Sequence, residues 1–266
     1  MSADFAQRVH MQHILGEAVQ TEGFRLLYQP IIETSTGEIA YFEALIRLKD
    51  SDLSPAEFIG AAEESDLIQP IGRWVIKEAI GQLAAWKMAG KELKPISINL
   101  SPKQLYDEGV VDFLVEELHT HQIAPSLIEM EITETVLIDG AAEAIRIIED
   151  IRSLGVKMAL DDFGTGYLSI KYITSIPVDR IKLDRSMTHG LPDTLPVIEG
   201  LIRIAHSLDM DVVAEGIEKK EEFRYLVQSH CDYLQGFLIS RPVVADQIEP
   251  MLEENIAERL GVEKSH

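Results

Sequence analysis

Short apolar runs recur along the chain, and stretches with helical spacing of apolar residues separate most of them. The first segment, 3–20, has Phe5, Val9, Ile14 and Ala18 at roughly helical spacing and predicts a lead-in helix. Eight later runs have the length and composition of buried strands; they lie at 24–32, 39–48, 96–100, 127–132, 156–162, 180–184, 211–216 and 232–236.

The segments between the runs predict the connections. Helical patterns lie at 70–90, 102–120, 140–154, 192–208 and 219–229, with shorter ones at 55–64, 167–174 and 245–259. Strands that alternate with helices indicate a parallel sheet, and eight strands favour closure into an α/β barrel. The first two runs are joined only by 33–38, which is too short for a crossover helix, so these two strands should be antiparallel. We therefore predict a lead-in helix over 1–20 and one barrel domain over 21–262.

The amino-acid composition disfavours or excludes several kinds of partner and binding site. The 266 residues hold 24 Lys and Arg against 45 Asp and Glu, a net charge of −21, which disfavours a DNA or RNA polymer as partner. The single cysteine, Cys231, excludes an intramolecular disulfide and a cysteine-based zinc site and fits a reducing compartment. No apolar run approaches the ~18 residues of a membrane span, and the first residues lack the layout of a signal peptide. These features predict a cytoplasmic protein with no membrane contact in this segment.

Polar side chains end nearly every predicted strand. They are Gln29, Glu43, Asn99, Glu131 with Glu134 beyond it, Asp161 and Asp162, Lys182, Glu215 and Gln235. A single polar residue at a strand end is more often a cap or a loop contact, and Asp161 with Asp162 alone could be a helix N-cap pair. The carboxyl ends of barrel strands converge on one face, however, so residues from all over the chain should surround one point.

The residue types at these ends predict a site for hard divalent cations. Glu43, Asn99, Glu131 and Asp161 offer oxygen ligands, and Asp162 adds a carboxylate that would let two ions share a ligand. No Cys or His lies among the strand-end residues, which favours Mg²⁺ or Mn²⁺ over zinc. Lys182 would orient or deprotonate an attacking water, or would serve only as a counter-ion to the carboxylates. Ca²⁺ should bind without supporting turnover, because its bonds are longer and its geometry is looser.

Nine short motifs in fixed order carry a family resemblance. They are YQP (28–30), EALIR (43–47), INLS (98–101), EITET (131–135), DDFGTGY (161–167), IKLDRS (181–186), AEGIE (214–218), QGF (235–237) and RP (241–242). With these motifs the chain resembles the bacterial EAL-domain phosphodiesterases, which hydrolyse cyclic di-GMP to linear pGpG.

The resemblance implies a modified TIM (β/α)8 barrel with an antiparallel first strand, and it implies a role for each matching residue. One metal ion would be held by Glu43, Asn99, Glu131 and Asp161, and a second by Asp161 and Asp162, with Glu215 at its water shell. Lys182 would act on the hydrolytic water. Gln29, Arg47 and Gln235 would contact the substrate, and Glu134 would anchor the 163–170 loop. The resemblance also implies a homodimer and, upstream, a GGDEF or sensory domain.

The sequence departs from the family pattern near the implied substrate site. Leu48 stands where active members usually carry Trp, the 48–54 segment is about three residues shorter, and Leu168 replaces a small residue. The alternative function is therefore a receptor module that binds cyclic di-GMP with weak or no catalysis. Such receptors usually lack metal ligands, whereas this chain retains every implied ligand.

Overall fold

The computed structural model describes residues 2–107, 109–137, 141–164, 173–174 and 176–262. Eight strands close into one barrel in sequence order: β1 Phe24–Glu33, β2 Ile39–Leu48, β3 Ile96–Asn99, β4 Ile128–Thr133, β5 Lys157–Phe163, β6 Arg180–Leu183, β7 Asp211–Ala214 and β8 Tyr233–Gln235. Strands β2 to β8 are parallel, and β1 is antiparallel to both of its neighbours, β2 and β8. The predicted barrel with an antiparallel first strand is confirmed.

Helices surround the strands. Those described are α1 Ser2–Gln20, α2 Pro55–Glu63, α3 Ile68–Met88, α4 Pro102–Leu105, α5 Val110–His121, α6 Ala141–Ser153, α7 Arg185–His189, α8 Leu195–Ser207, α9 Lys220–Gln228, α10 Glu249–Leu252 and α11 Ile256–Leu260. Short 3-10 turns lie at Pro125–Leu127, Glu134–Leu137 and Ala245–Gln247. Within the described ranges, none of the helices has both the length and the apolar character that a membrane span needs.

Apolar spacing explains why α3 forms and where it packs. Its buried residues include Ile68, Ile71, Val75 and Ala79, which recur every three or four positions and therefore share one face of the helix. That face packs on the outside of the strands, and Trp86 near the end of the helix contacts the rings of Tyr28 and Phe42. The α3 face thus forms one wall beside the carboxyl ends of β2 and β3.

Two segments that were predicted to be single helices are interrupted in the structure, so these two predictions were wrong. The predicted helix over 102–120 is interrupted: α4 ends at Leu105, and α5 begins at Val110. A side-chain bond to the backbone favours the break after α4, because the Gly109 N–H donates to Asp107 Oδ1 at 3.2 Å. The predicted helix over 245–259 is likewise divided into a 3-10 turn, α10 and α11, and Asn255 caps the last of these. The predicted helix over 167–174 lies almost entirely outside the described residues.

The barrel interior is charged as well as apolar. Near the amino ends of the parallel strands, the Arg180 guanidinium lies between the rings of Tyr41 and Tyr233, 4.4 Å from each centroid. Arg180 Nη1 is 2.6 Å from Glu129 Oε2, and both side chains are buried. Two residues further along the same strands, Lys182 and Glu131 face each other in the same way. Inward-facing positions of β4 and β6 therefore alternate with apolar ones that pack under the helices.

Candidate active site

The predicted strand-end residues meet at the carboxyl end of the barrel. They come from separate strands or the residue that follows: Glu43 from β2, Asn99 from β3, Glu131 from β4, Asp161 and Asp162 from β5, Lys182 from β6, Glu215 after β7 and Gln235 from β8. Parallel strands with matched register bring their last residues to one level, so distant parts of the sequence become neighbours. We call the five carboxylates and Lys182 the acidic cluster.

Lys182 is the centre of the acidic cluster. Its side chain has no solvent exposure, and Nζ lies 2.7 Å from Glu131 Oε2, 2.7 Å from Glu215 Oε1, 3.3 Å from Asp161 Oδ1 and 3.6 Å from Glu43 Oε2. One ammonium thus contacts four carboxylates from four strands. This arrangement supports the counter-ion role, and it also places the ammonium where a water between the carboxylates would be held.

Two amides fix the orientation of Glu43. Asn99 Nδ2 donates to Glu43 Oε1 at 2.7 Å, and Gln235 Nε2 donates to Glu43 Oε2 at 2.6 Å. Gln235 also donates to Gln29 Oε1 at 3.2 Å, and Gln29 in turn donates to the Ser240 carbonyl at 3.1 Å. The predicted substrate contacts Gln29 and Gln235 are therefore buried next to the acidic cluster, where they position a carboxylate.

Burial and mutual repulsion control protonation in the acidic cluster. Burial by itself would lower the pKa of Lys182, but the surrounding carboxylates outweigh it and raise that pKa well above its ordinary value. Burial, together with Asp161 and Glu43, raises the pKa of Glu131 despite Lys182, and burial likewise raises the pKa of Glu215 to about 8.

The donor set fits divalent cations. Carboxylate oxygens of Asp161, Asp162 and Glu215 all lie within 4.8 Å of one another. Glu131 Oε1 is buried and accepts no hydrogen bond from any described residue. A buried carboxylate oxygen without a donor requires a cation or a proton, and an all-oxygen set suits Mg²⁺ or Mn²⁺.

Asp162 has an unusual backbone. Its φ of 55° lies in the left-handed region, where residues other than glycine are uncommon although Asp tolerates it. The register between β5 and β6 shifts between Leu160 and Phe163, so the strand is irregular at this point. The irregularity turns the Asp162 carboxylate toward Asp161 and Glu215, as the distances within the group require. Sequence reasoning had identified the residue but not the backbone that orients it.

A cavity of about 580 Å³ opens beside the acidic cluster. Glu43, Asn99, Glu131 and Asp162 border one end, and Arg47 lies on its wall. The opposite wall is apolar and comes from α2, α3 and the end of β3; it includes Ile59, Ile68, Ile71, Val75 and Leu100. Sequence reasoning missed this wall, because its apolar residues follow the same spacing as core residues.

Leu48 lies in the hydrophobic core and does not line this cavity. Its side chain is buried, and it stands opposite Phe24 in the ladder between β1 and β2. The neighbouring position, Arg47, is the one that reaches the cavity wall. Alternation along β2 therefore places the residue that departs from the family pattern on the helix-packed side of the strand.

Glu134 connects the carboxyl end of β4 to the start of the 163–170 segment. The Gly164 N–H donates to Glu134 Oε1 at 3.1 Å, and the Glu134 side chain is buried. Residues 165–170 of that segment, which include Leu168, lie outside the described residues. The contact is the one that an anchoring role needs, and the role itself stays a prediction.

Comparison with known proteins shows which protein family the chain belongs to. Residues 12–242 match the EAL domain. The chain belongs to the EAL domain family. This EAL domain is 38% identical over 245 residues, 90% of the chain, to the cyclic di-GMP phosphodiesterase PA2567 of Pseudomonas aeruginosa. It is 34% identical over 253 residues, 93% of the chain, to the signaling protein YkoW of Bacillus subtilis.

Solved structures agree with the fold. The EAL domain superposes on the PaMucR phosphodiesterase in complex with c-di-GMP with a TM-score of 0.84 and 32% sequence identity, covering 90% of this chain and 99% of the other. The curated relatives are longer proteins: the match spans 42% of PA2567 and 32% of YkoW.

Proposed function

We propose that this EAL domain is a metal-dependent phosphodiesterase that hydrolyses cyclic di-GMP to linear pGpG. The observation that carries the proposal is the acidic cluster, in which five carboxylates and Lys182 meet at the mouth of a barrel beside a cavity of about 580 Å³. The choice of substrate is supported by PA2567, which is named a cyclic di-GMP phosphodiesterase, and by PaMucR, which is described as a phosphodiesterase in complex with c-di-GMP.

The acidic cluster would hold two divalent cations. We propose that Glu43, Asn99, Glu131 and Asp161 bind the first, that Asp161 and Asp162 bind the second, and that Glu215 contacts the water shell of the second. Bound cations supply charge neutralisation at the phosphoryl oxygens and a lowered pKa for a coordinated water. The proximity of Asp161, Asp162 and Glu215 supports a shared site at this end of the barrel.

The protein's own groups would position the reactants. The Lys182 ammonium holds Glu131, Asp161 and Glu215 together and would orient the attacking water. The water oxygen would add to phosphorus as the bond to the 3′ oxygen breaks, and the departing 3′ oxygen would receive a proton. Gln29, Arg47 and Gln235 would contact the nucleotide, and the Glu134 contact to Gly164 would hold the 163–170 segment.

The second candidate is a cyclic di-GMP receptor with weak or no catalysis. The observation in its favour is Leu48, which stands where active members usually carry Trp and packs in the core, on the side of β2 away from the cavity. A change at this position would act through the neighbouring Arg47 at the cavity wall, so it would affect nucleotide affinity more than metal chemistry.

One experiment separates the two candidates. The purified protein is incubated with cyclic di-GMP in Mn²⁺, in Mg²⁺ and in Ca²⁺, and the products are separated by chromatography while binding is measured by calorimetry in Ca²⁺. The phosphodiesterase forms pGpG in Mn²⁺ or Mg²⁺. Binding with no pGpG in any metal would establish the receptor, and absence of both binding and pGpG would refute both functions.

Three further features belong to the same proposal. We propose that the domain acts in the cytoplasm, that it forms a homodimer, and that a GGDEF or sensory domain precedes it in a longer protein. The large part of each curated relative that lies outside the match supports the last point. Sedimentation of the purified domain tests the homodimer.

A further inference from the structure

Two arginines face each other in the hairpin above the acidic cluster. Arg25 of β1 is directly opposite Arg47 of β2 in the antiparallel ladder. Residues that are directly opposite in such a ladder project from the same side, with Cβ atoms about 4.5–5.5 Å apart. The two guanidinium groups also repel each other. Burial lowers the pKa of Arg47, the Glu43 carboxylate opposes this change, and the positive charge of Arg25 lowers the pKa further.

Strand alternation places this arginine pair on the hairpin face that carries Glu43 and Gln29, although Arg25 itself borders a second cavity beside Trp74. Side chains on one face recur every second residue, so Arg47 shares its face with Glu43, and Arg25 shares its face with Gln29. Glu43 and Gln29 lie inside the barrel at the acidic cluster, and Arg47 borders the cavity. Four residues of strand separate Glu43 from Arg47, roughly 13 Å along β2. The arginine pair therefore lies at the rim, two positions along the same strand face from Glu43.

Neither arginine has a carboxylate partner among the described residues. Arg47 Nη1 donates to the Ile46 carbonyl at 2.9 Å, and Arg25 is exposed and makes neither a hydrogen bond nor an ion pair within the described ranges. Like charges that are directly opposite destabilise a ladder. The chain has 45 acidic residues against 24 basic ones, so two opposed arginines without a carboxylate partner among the described residues are unusual in this acidic protein. An anion bound between the two guanidinium groups would remove the repulsion.

We propose that Arg25, with Arg47, binds the phosphodiester of a dianionic cyclic dinucleotide that does not lie at the acidic cluster. The inference rests on the proposed function, and it adds to it a binding residue on β1 that reads the second negative charge of the substrate. A guanidinium pair suits this task, because phosphate oxygens accept charge-assisted hydrogen bonds from both groups. A ligand with a single phosphodiester would gain less from Arg25.

The test compares Arg25→Gln with Arg224→Gln, which makes the same change of net charge on an exposed arginine of α9 that has no ion pair among the described residues. Affinity for cyclic di-GMP is measured by calorimetry in Ca²⁺, and kcat/KM in Mn²⁺ is measured for cyclic di-GMP and for bis(4-nitrophenyl) phosphate, which has one phosphodiester. Melting temperatures establish that each variant is folded. Arg25→Lys keeps the charge and serves as the conservative variant.

We expect Arg25→Gln to weaken cyclic di-GMP binding about tenfold, about 1.4 kcal/mol, and to lower kcat/KM for cyclic di-GMP more than for the single diester. Arg25→Lys should recover most of the affinity, and Arg224→Gln should match the unmodified protein. Equal affinities in Arg25→Gln and Arg224→Gln would overturn the inference, and so would an equal loss for both substrates. If the unmodified protein does not bind cyclic di-GMP, the proposed function fails, an outcome separate from a failure of Arg25 alone.

Discussion

Replacement of Lys182 by Met removes the only cation that the described residues place within 4 Å of the acidic cluster's carboxylates. Met is unbranched like Lys and only one heavy atom shorter, so the change is mainly one of charge. Because Lys182 is completely buried, its loss leaves neighbouring carboxylates without a counter-ion in a site of low dielectric. Removal of one partner from a buried ion pair costs about 3–5 kcal/mol, and we expect a loss of that size in EDTA at neutral pH.

The pH dependence of this loss has a definite sign. Burial already raises the pKa of Glu131 and Glu215, and Lys182 opposes that rise in both, so its removal should raise both values further. Between the unfolded value of about 4.3 and the raised folded value, the folded state binds more protons than the unfolded state. Stability of Lys182→Met should therefore fall as pH rises through this range, and its deficit at pH 8 should exceed that at pH 5.

Metal should compensate for the lost ammonium. At a concentration 100 times its Kd, a ligand that binds only the folded state stabilises it by about 2.7 kcal/mol. We expect Mn²⁺ to stabilise Lys182→Met by more than it stabilises the unmodified protein, because the variant site is one charge more negative. In Mn²⁺ the variant should be folded and bind cyclic di-GMP, yet kcat should be lower by about 10²–10⁴ if the ammonium acts on the water.

The assay is urea unfolding followed by circular dichroism in EDTA and in Mn²⁺, each at pH 5 and pH 8. The control is Lys77→Met, which removes an exposed lysine of α3 and should stay within about 0.5 kcal/mol of the unmodified protein. A loss of less than about 1 kcal/mol in EDTA, with no extra stabilisation by Mn²⁺, would refute the electrostatic account of the acidic cluster. Normal turnover at saturating substrate would refute the role of Lys182 in the chemistry.

Three further outcomes are expected. Glu43→Ala should lower turnover at least a hundredfold, about 2.7 kcal/mol of barrier, with folding retained; near-normal turnover in a steady-state assay would contradict the metal assignment. Arg180→Met should destabilise the protein by about 3–5 kcal/mol in urea, because Glu129 is left buried without its partner, and Glu129→Met in the same chain should restore most of that loss; no recovery in the double variant would argue against the pair. Ca²⁺ should raise the melting temperature but give no pGpG by chromatography, and turnover in Ca²⁺ comparable to that in Mn²⁺ would contradict the proposed geometry.

The sequence alone determined the architecture and most members of the acidic cluster. Short apolar runs separated by helical patterns predict parallel strands, and the short 33–38 connection predicts an antiparallel pair at the start. Because parallel strands end at one face, the polar residues at their ends had to meet. Lys182 alternates with Ile181 and Leu183 in the β6 segment, and this alternation likewise predicts that Lys182 lies inside the barrel.

Tertiary structure decided what depends on pairing between distant segments. Strand register, which local spacing does not encode, decides four features of the site. They are the closure of β1 against β8, the amides that hold Glu43, the left-handed backbone at Asp162 and the opposition of Arg25 to Arg47. The breaks between α4 and α5 and within 245–259 depend on side-chain bonds to the backbone that compete with helix continuation. The cavity wall was also invisible in the sequence, because an apolar helix face has the same pattern whether it packs on the core or borders a binding site.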